Sequence, residues 1–178
     1  MRVAQVAPLA ESVPPKLYGG TERVVAWLID ELVDLGHDVT LFASGDSVTR
    51  ARLVPVWPRA LRLSRPRPDP IAAQAGLLEG VAQHAADFDV IHVHVDWLHL
   101  PLLSRLASHL SPRCMDAWIC RLAQVVDRFP AAPFVSISDN QRRPLTAANW
   151  LGTVYHGLPI NALRPPTSPV LILLFLAG

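Results

Sequence analysis

Residues 18–22 of the chain read Tyr18-Gly19-Gly20-Thr21-Glu22, between an apolar strand and an amphipathic helix. Two adjacent glycines strip the backbone of side chains where a helix begins. Bare N–H groups and the positive end of a helix dipole then face an open cleft, which is the chemistry that holds a phosphate. The plainer alternative is a tight strand-to-helix turn. A dinucleotide fingerprint is a poor fit, because the G-x-G-x-x-G spacing is missing. Thr21 is the expected N-cap. Glu22 is either a cleft carboxylate or, in better accord with the dipole, an acidic residue of the first helical turn.

A second group of reactive side chains lies further along. His92 and His94 alternate within Asp89-Val90-Ile91-His92-Val93-His94, so both fall on one face of a strand. A metal would need a third ligand, for which Asp96 and His99 are candidates. Neutral histidines near a strand end more often hydrogen-bond. His94 stands at the carboxyl end, where open α/β sheets bind ligands, and its expected place is beside an acceptor, with Asp96 and Trp97. Ser136 and Ser138 are expected to cap a following helix. Arg59, Arg62, Arg65 and Arg67 share a proline-rich loop and read as solvated, with nucleic-acid or membrane contact the alternative.

The elements that must position these groups follow the periodicity. Val3 to Ala7 is a buried strand stopped at Pro8. A helix follows from about Thr21, with Val24, Leu28, Leu32 and Leu35 on one face as its core stripe and Gly36 at C′. Asp38 to Phe42 is the second strand, which completes a right-handed parallel crossover. Arg52 to Val56 is a poorer strand, and Pro55 marks it as an edge. Helices are expected over 71–86 and 98–110, with the strand 89–94 between them. Residues 111–121 break the pattern. Further strands are expected at Pro133 to Ile137, at Thr153 to Tyr155 and at Val170 to Leu176.

The bulk properties fit one α/β domain with a parallel sheet covered on both faces. The chain has 178 residues, 51% of them hydrophobic, and a mean hydropathy of +0.27. A net charge of +1 supplies no global field for nucleic acid or an anionic membrane. Cys114 and Cys120 match neither a zinc knuckle nor a redox pair, so free thiols in a reducing compartment are expected. The chain opens directly into a strand, and its longest apolar run is too short to span a bilayer. The expected location is cytoplasmic.

Five pieces occur in one order: Tyr18 to Val25, Gly36 to Phe42, Asp89 to His94, Val135 to Ser138, and Val154-Tyr155-His156-Gly157-Leu158-Pro159. Together they resemble the N-terminal domain of family 4 glycosyltransferases of the two-Rossmann (GT-B) architecture. The resemblance spans nearly the whole chain. It implies transfer of a sugar from a nucleotide-sugar (a UDP- or GDP-sugar) to an acceptor, with retention of anomeric configuration and without a metal. The acceptor would be a small molecule, a glycan or a lipid. Residues 1–158 would form the Rossmann-like acceptor-side domain. Residues 159–178 would form a linker and the first strand of a C-terminal donor domain, with His156 and Gly157 at the hinge. Gly19, Gly20, Thr21, Glu22, His94 and Asp96 would bind substrate or phosphate.

One departure from the family pattern is instructive. The resemblance calls for a Thr-x-His-Gly stretch after the 98–110 helix, whose histidine faces the reaction centre. Here Ser111 to Arg121 holds no such string, and the family histidine is absent near Cys114. Arg113 to Arg121 can be written in codons that, with an A placed before them and read from that base, spell Thr-Val-His-Gly-Arg-Leu-Asp-Leu, so a frame-shifted window is the expectation here. On that reading the chain is a truncated transferase, inactive alone and binding no cofactor by itself. Its uncovered last strand would invite self-association. The alternatives are a non-catalytic acceptor- or carbohydrate-binding module working with a separate partner, and a non-functional remnant.

Overall fold

The computed structural model of the protein describes residues 1–103 and 123–159. The irregular stretch 111–121 with Cys114 and Cys120, the helix expected to reach Leu110, and the linker and strand expected after Pro159 lie outside the described residues.

The architecture is α/β. Strands β1 (Arg2–Val6), β2 (Asp38–Ser44), β3 (Arg52–Trp57) and β4 (Val90–Val93) form a parallel sheet in the order β3-β2-β1-β4. The register sets Val6 opposite Phe42 on one side and Val93 on the other, so β1 is central and its carboxyl end is flanked by both neighbours. β3 is the edge strand, and Pro55 is accommodated there, where the ladder also shifts register.

Period-two alternation sends the strand side chains to opposite faces, and each face has its own helix. Ala4, Val6, Phe42, Ile91 and Val93 pack with Leu77, Leu78 and Val81 of helix α2 (Pro70–Gln83). Val39, Leu41 and Ala43 pack with Val25 and Ile29 of helix α1 (Gly20–Asp34). Phe42 lies fully buried with its ring edge-on to Phe88, at 5.8 Å between centroids. α2 starts where Asp69 accepts the amides of Ile71 and Ala72, with Pro70 at the first helical position. α1 ends in a Schellman turn: Gly36, at φ +80°, donates to Val33, and His37 donates to Leu32.

Beyond β4 come a 3-10 turn (Trp97–His99), α3 (Leu100–Leu103) and α4 (Ala123–Val126). A second parallel pair follows, β5 (Pro133–Ser136) and β6 (Asn149–Thr153), around α5 (Asp139–Arg142). Ser138 caps α5 through the amide of Gln141, as expected. Ser136 instead bonds Thr153 Oγ1 at 2.8 Å. Among the described residues no helix is long and apolar enough to cross a membrane.

Three sequence expectations need correction. α1 begins at Gly20 with Gly19 as N-cap, so Thr21 is inside the first turn and caps nothing. The core side of α1 is Glu22, Val25 and Ile29. Val24 and Leu28 line an open groove instead, Leu32 lines it while also packing against the core, and Leu35 is exposed. A 15-residue helix with two apolar stripes can satisfy the period on either, and contact with β1 and β2 decided between them. The last strand among the described residues is Asn149–Thr153 instead of the expected Thr153 to Tyr155, and Val154 and Tyr155 are exposed. Pairing with β5 and the contact of Trp150 with Phe134 outweigh the higher strand propensity of Val154-Tyr155.

Candidate functional site

The carboxyl ends of β1 and β4 lie side by side where the strand order reverses, with β2 and β3 to one side of β1 and β4 on the other, the setting in which open α/β sheets bind ligands. From β1 a long loop runs to the glycine turn. It is fastened to the loops after β2 and β3. Val13 donates to Ser47 Oγ, Val48 donates to the Val13 carbonyl, and Leu61 and Arg62 donate to the carbonyls of Leu9 and Ala10. These bonds fix the approach to α1 before any ligand is present.

The two glycines do different work. A Cβ on Gly19 would stand 2.7 Å from Glu22 Oε2 and 2.8 Å from Pro15 Cβ, so any side chain there must displace both. A Cβ on Gly20 would meet nothing within 4 Å. No side chain caps α1, and its first internal bond is Arg23 N–H to the Gly19 carbonyl. The amides of Gly20 and Thr21 therefore point out of the helix beside open space, with the positive end of the dipole behind them.

Beneath the turn lies a charge cluster that sequence reading missed. Glu11 is fully buried, with Oε1 accepting from Arg62 Nη1 at 3.0 Å and Oε2 without a partner. The same Arg62 nitrogen donates to the Tyr18 carbonyl at 2.6 Å. Glu22 is also buried. Burial pushes its carboxyl up from the ordinary value and the Glu11 charge adds to this, against the amides of Glu22 and Glu11 and the Arg62 charge. Arg62 is thus no purely solvated loop residue. Glu11 and Arg62 stand 51 residues apart, and no motif or period connects them.

The histidines occupy the neighbouring strand end. His94 is fully buried, with Nε2 at 2.7 Å from Gln5 Oε1. With Gln5 accepting, the proton sits on Nε2, and Nδ1 has no partner. Burial holds His94 well below the usual histidine range, with the His92 and His156 charges adding to the effect, so its ring is neutral. The His92 and His94 rings lie 4.0 Å apart between centroids. His99 donates from Nδ1 to the Asp96 carbonyl at 2.7 Å, and its buried Nε2 has no partner. Asp96 is exposed. Among the described residues no group of three or more His, Cys, Asp or Glu could hold a metal ion.

The expected residues therefore fall into three places. Gly19, Gly20, Thr21 and Glu22 form the start of α1. His94 and Asp96 follow β4. His156 and Gly157 line a groove of about 530 Å³ between α1 and the sheet face, with Trp27, Leu28, Leu32 and His92. That groove does not include the glycine turn.

Residues 18–115 match the sequence model of Glycosyltransferase Family 4. Among solved structures, AviGT4, a glycosyltransferase involved in avilamycin A biosynthesis, is similar at 25% identity, with a TM-score of 0.48. The match covers 82% of this chain and 38% of that one, so the chain spans little more than a third of that protein's length. No curated protein sequence matches the chain.

Two outcomes are expected from the turn. Gly19→Ala should lose about 1–3 kcal/mol in urea denaturation, because Pro15 and Glu22 must move, whereas Gly20→Ala should be neutral or gain up to about 1 kcal/mol. Glu22 ties up a proton more firmly in the folded than in the unfolded chain. Its contribution to stability therefore falls as pH rises from the ordinary glutamate range through its raised value. Asp34 and Asp89, lowered by Arg50 and Arg2, act in the opposite sense at lower pH. Subtracting the pH profile of Glu22→Gln from that of the wild type should isolate a loss of stability with rising pH.

Proposed function

Because the chain belongs to glycosyltransferase family 4, we propose that it forms the acceptor-side half of a sugar-transfer site. In this reading a sugar passes from a nucleotide-sugar, a UDP- or GDP-sugar, to an acceptor with retention at the anomeric carbon. The observation that carries the reading is the uncapped start of α1, where Gly20 leaves open space at the carboxyl edge of the sheet.

The amides of Gly20 and Thr21 serve the phosphates of the donor. As the bond to the sugar breaks, negative charge builds on the departing phosphate, and donors already aimed at that position stabilise it without reorganising. The exposed Asp96 carboxylate, after β4, accepts from an acceptor hydroxyl. His94, neutral and wedged against Gln5, positions this edge and carries no charge into it. His156 and Gly157 act as the hinge toward a donor-binding domain. Transfer needs that domain, on the same polypeptide or on a partner, and the reaction takes place in the cytoplasm.

Calorimetric titration with pyrophosphate and with nucleoside diphosphates tests the phosphate contact. The wild type should bind, and Gly20→Val should bind at least about tenfold more weakly while remaining folded. Equal binding by the variant, or none by the wild type, would contradict the reading. In a radiolabelled sugar-transfer assay the 178-residue polypeptide alone should show no turnover.

A further inference from the structure

Arg62 reaches the glycine turn from a loop that the sequence places far away, and it does so with a single nitrogen. Nη1 donates to Glu11 Oε1 at 3.0 Å and to the Tyr18 carbonyl at 2.6 Å, so both of its hydrogens are used. The Tyr18 carbonyl belongs to the peptide that leads into Gly19, and the Gly19 carbonyl in turn accepts the first α1 bond from Arg23. Gly19 has no side chain with which to resist rotation of that peptide. Its orientation is therefore held from outside, by the bond from Arg62 to the Tyr18 carbonyl, while Pro15 and Glu22 crowd the position beside it.

We propose that Arg62 is a positioning residue, which clamps the Tyr18–Gly19 peptide and so aims the Gly20 and Thr21 amides. The proposal rests on the phosphate reading of those amides given above. Glu11 anchors the clamp. Its fully buried carboxylate fixes the guanidinium by a charge-assisted bond, and the guanidinium fixes the carbonyl. Half of the Arg62 side chain remains exposed, so its position depends on these two bonds more than on packing.

Removing Arg62 alone leaves Glu11 buried without a partner beside Glu22, which can unfold the loop for reasons unrelated to aiming. The double variant Glu11→Gln/Arg62→Met removes both charges and separates the two effects. Hydrogen exchange at the Arg23 amide reads the clamp without any ligand. In the double variant it should rise about tenfold, because the first helical bond loses its fixed acceptor. Exchange at Ala7 and His94, which bond to the Phe42 and Val6 carbonyls, should stay unchanged. Arg62→Lys should restore part of the protection at Arg23. Wild-type exchange at Arg23 in the double variant would overturn the proposal, since Arg62 would then only neutralise Glu11. Pyrophosphate affinity should fall several-fold in the double variant. If the wild type binds no pyrophosphate, the phosphate reading fails, while exchange at Arg23 still decides the clamp.

Discussion

The space that the Glu22 carboxyl and Pro15 take up beside Gly19 is the constraint on which the rest of the site depends. An oxygen of Glu22 occupies the space that any side chain at position 19 would need. Pro15 and Glu22 crowd position 19, and Gly20, not Gly19, stands beside open space. The glycine pair is thus two requirements in sequence. The first is steric and internal, and the second leaves room for something outside the fold. The loop bonds from Val13, Leu61 and Arg62 hold this arrangement to the strands beneath it.

Electrostatically the site is more guarded than a simple anion cradle. Two buried carboxyls, Glu11 and Glu22, lie under an uncapped helix start, and a single guanidinium answers them. Fully ionised, the cluster would carry one net negative charge and would weaken the pull of the helix dipole on a phosphate. Burial favours a proton on Glu22, which offsets that charge. Glu22 and Arg62 thus set the charge that lies beneath the amides of Gly20 and Thr21. Across the sheet edge, His94 stays neutral and adds no compensating positive charge.

The sheet was legible because its signals are local. The apolar runs Val3 to Ala7 and Asp89 to His94, the crossover ending in Gly36, and the edge strand marked by Pro55 each declare themselves within a few residues. The match of residues 18–115 to glycosyltransferase family 4 agrees with the resemblance those pieces carry. What was not legible depends on tertiary contact. Val24, Leu28 and Leu32 obey the helical period as well as Val25 and Ile29 do, and only the sheet selects between them. Asn149 to Thr153 becomes a strand because β5 offers a partner edge. Glu11 and Arg62 look like a loop acid and a loop base, and no spacing rule joins residues so far apart.

Residue-resolved amide NMR during a pyrophosphate titration sets the glycine turn directly against the larger groove beside it. If the amides of the turn hold the phosphates, the Gly20 and Thr21 amide signals move first and furthest, with Trp27 and Leu28 in the groove nearly still. Movement at Trp27 and Leu28 without movement at Gly20 and Thr21 would contradict that role.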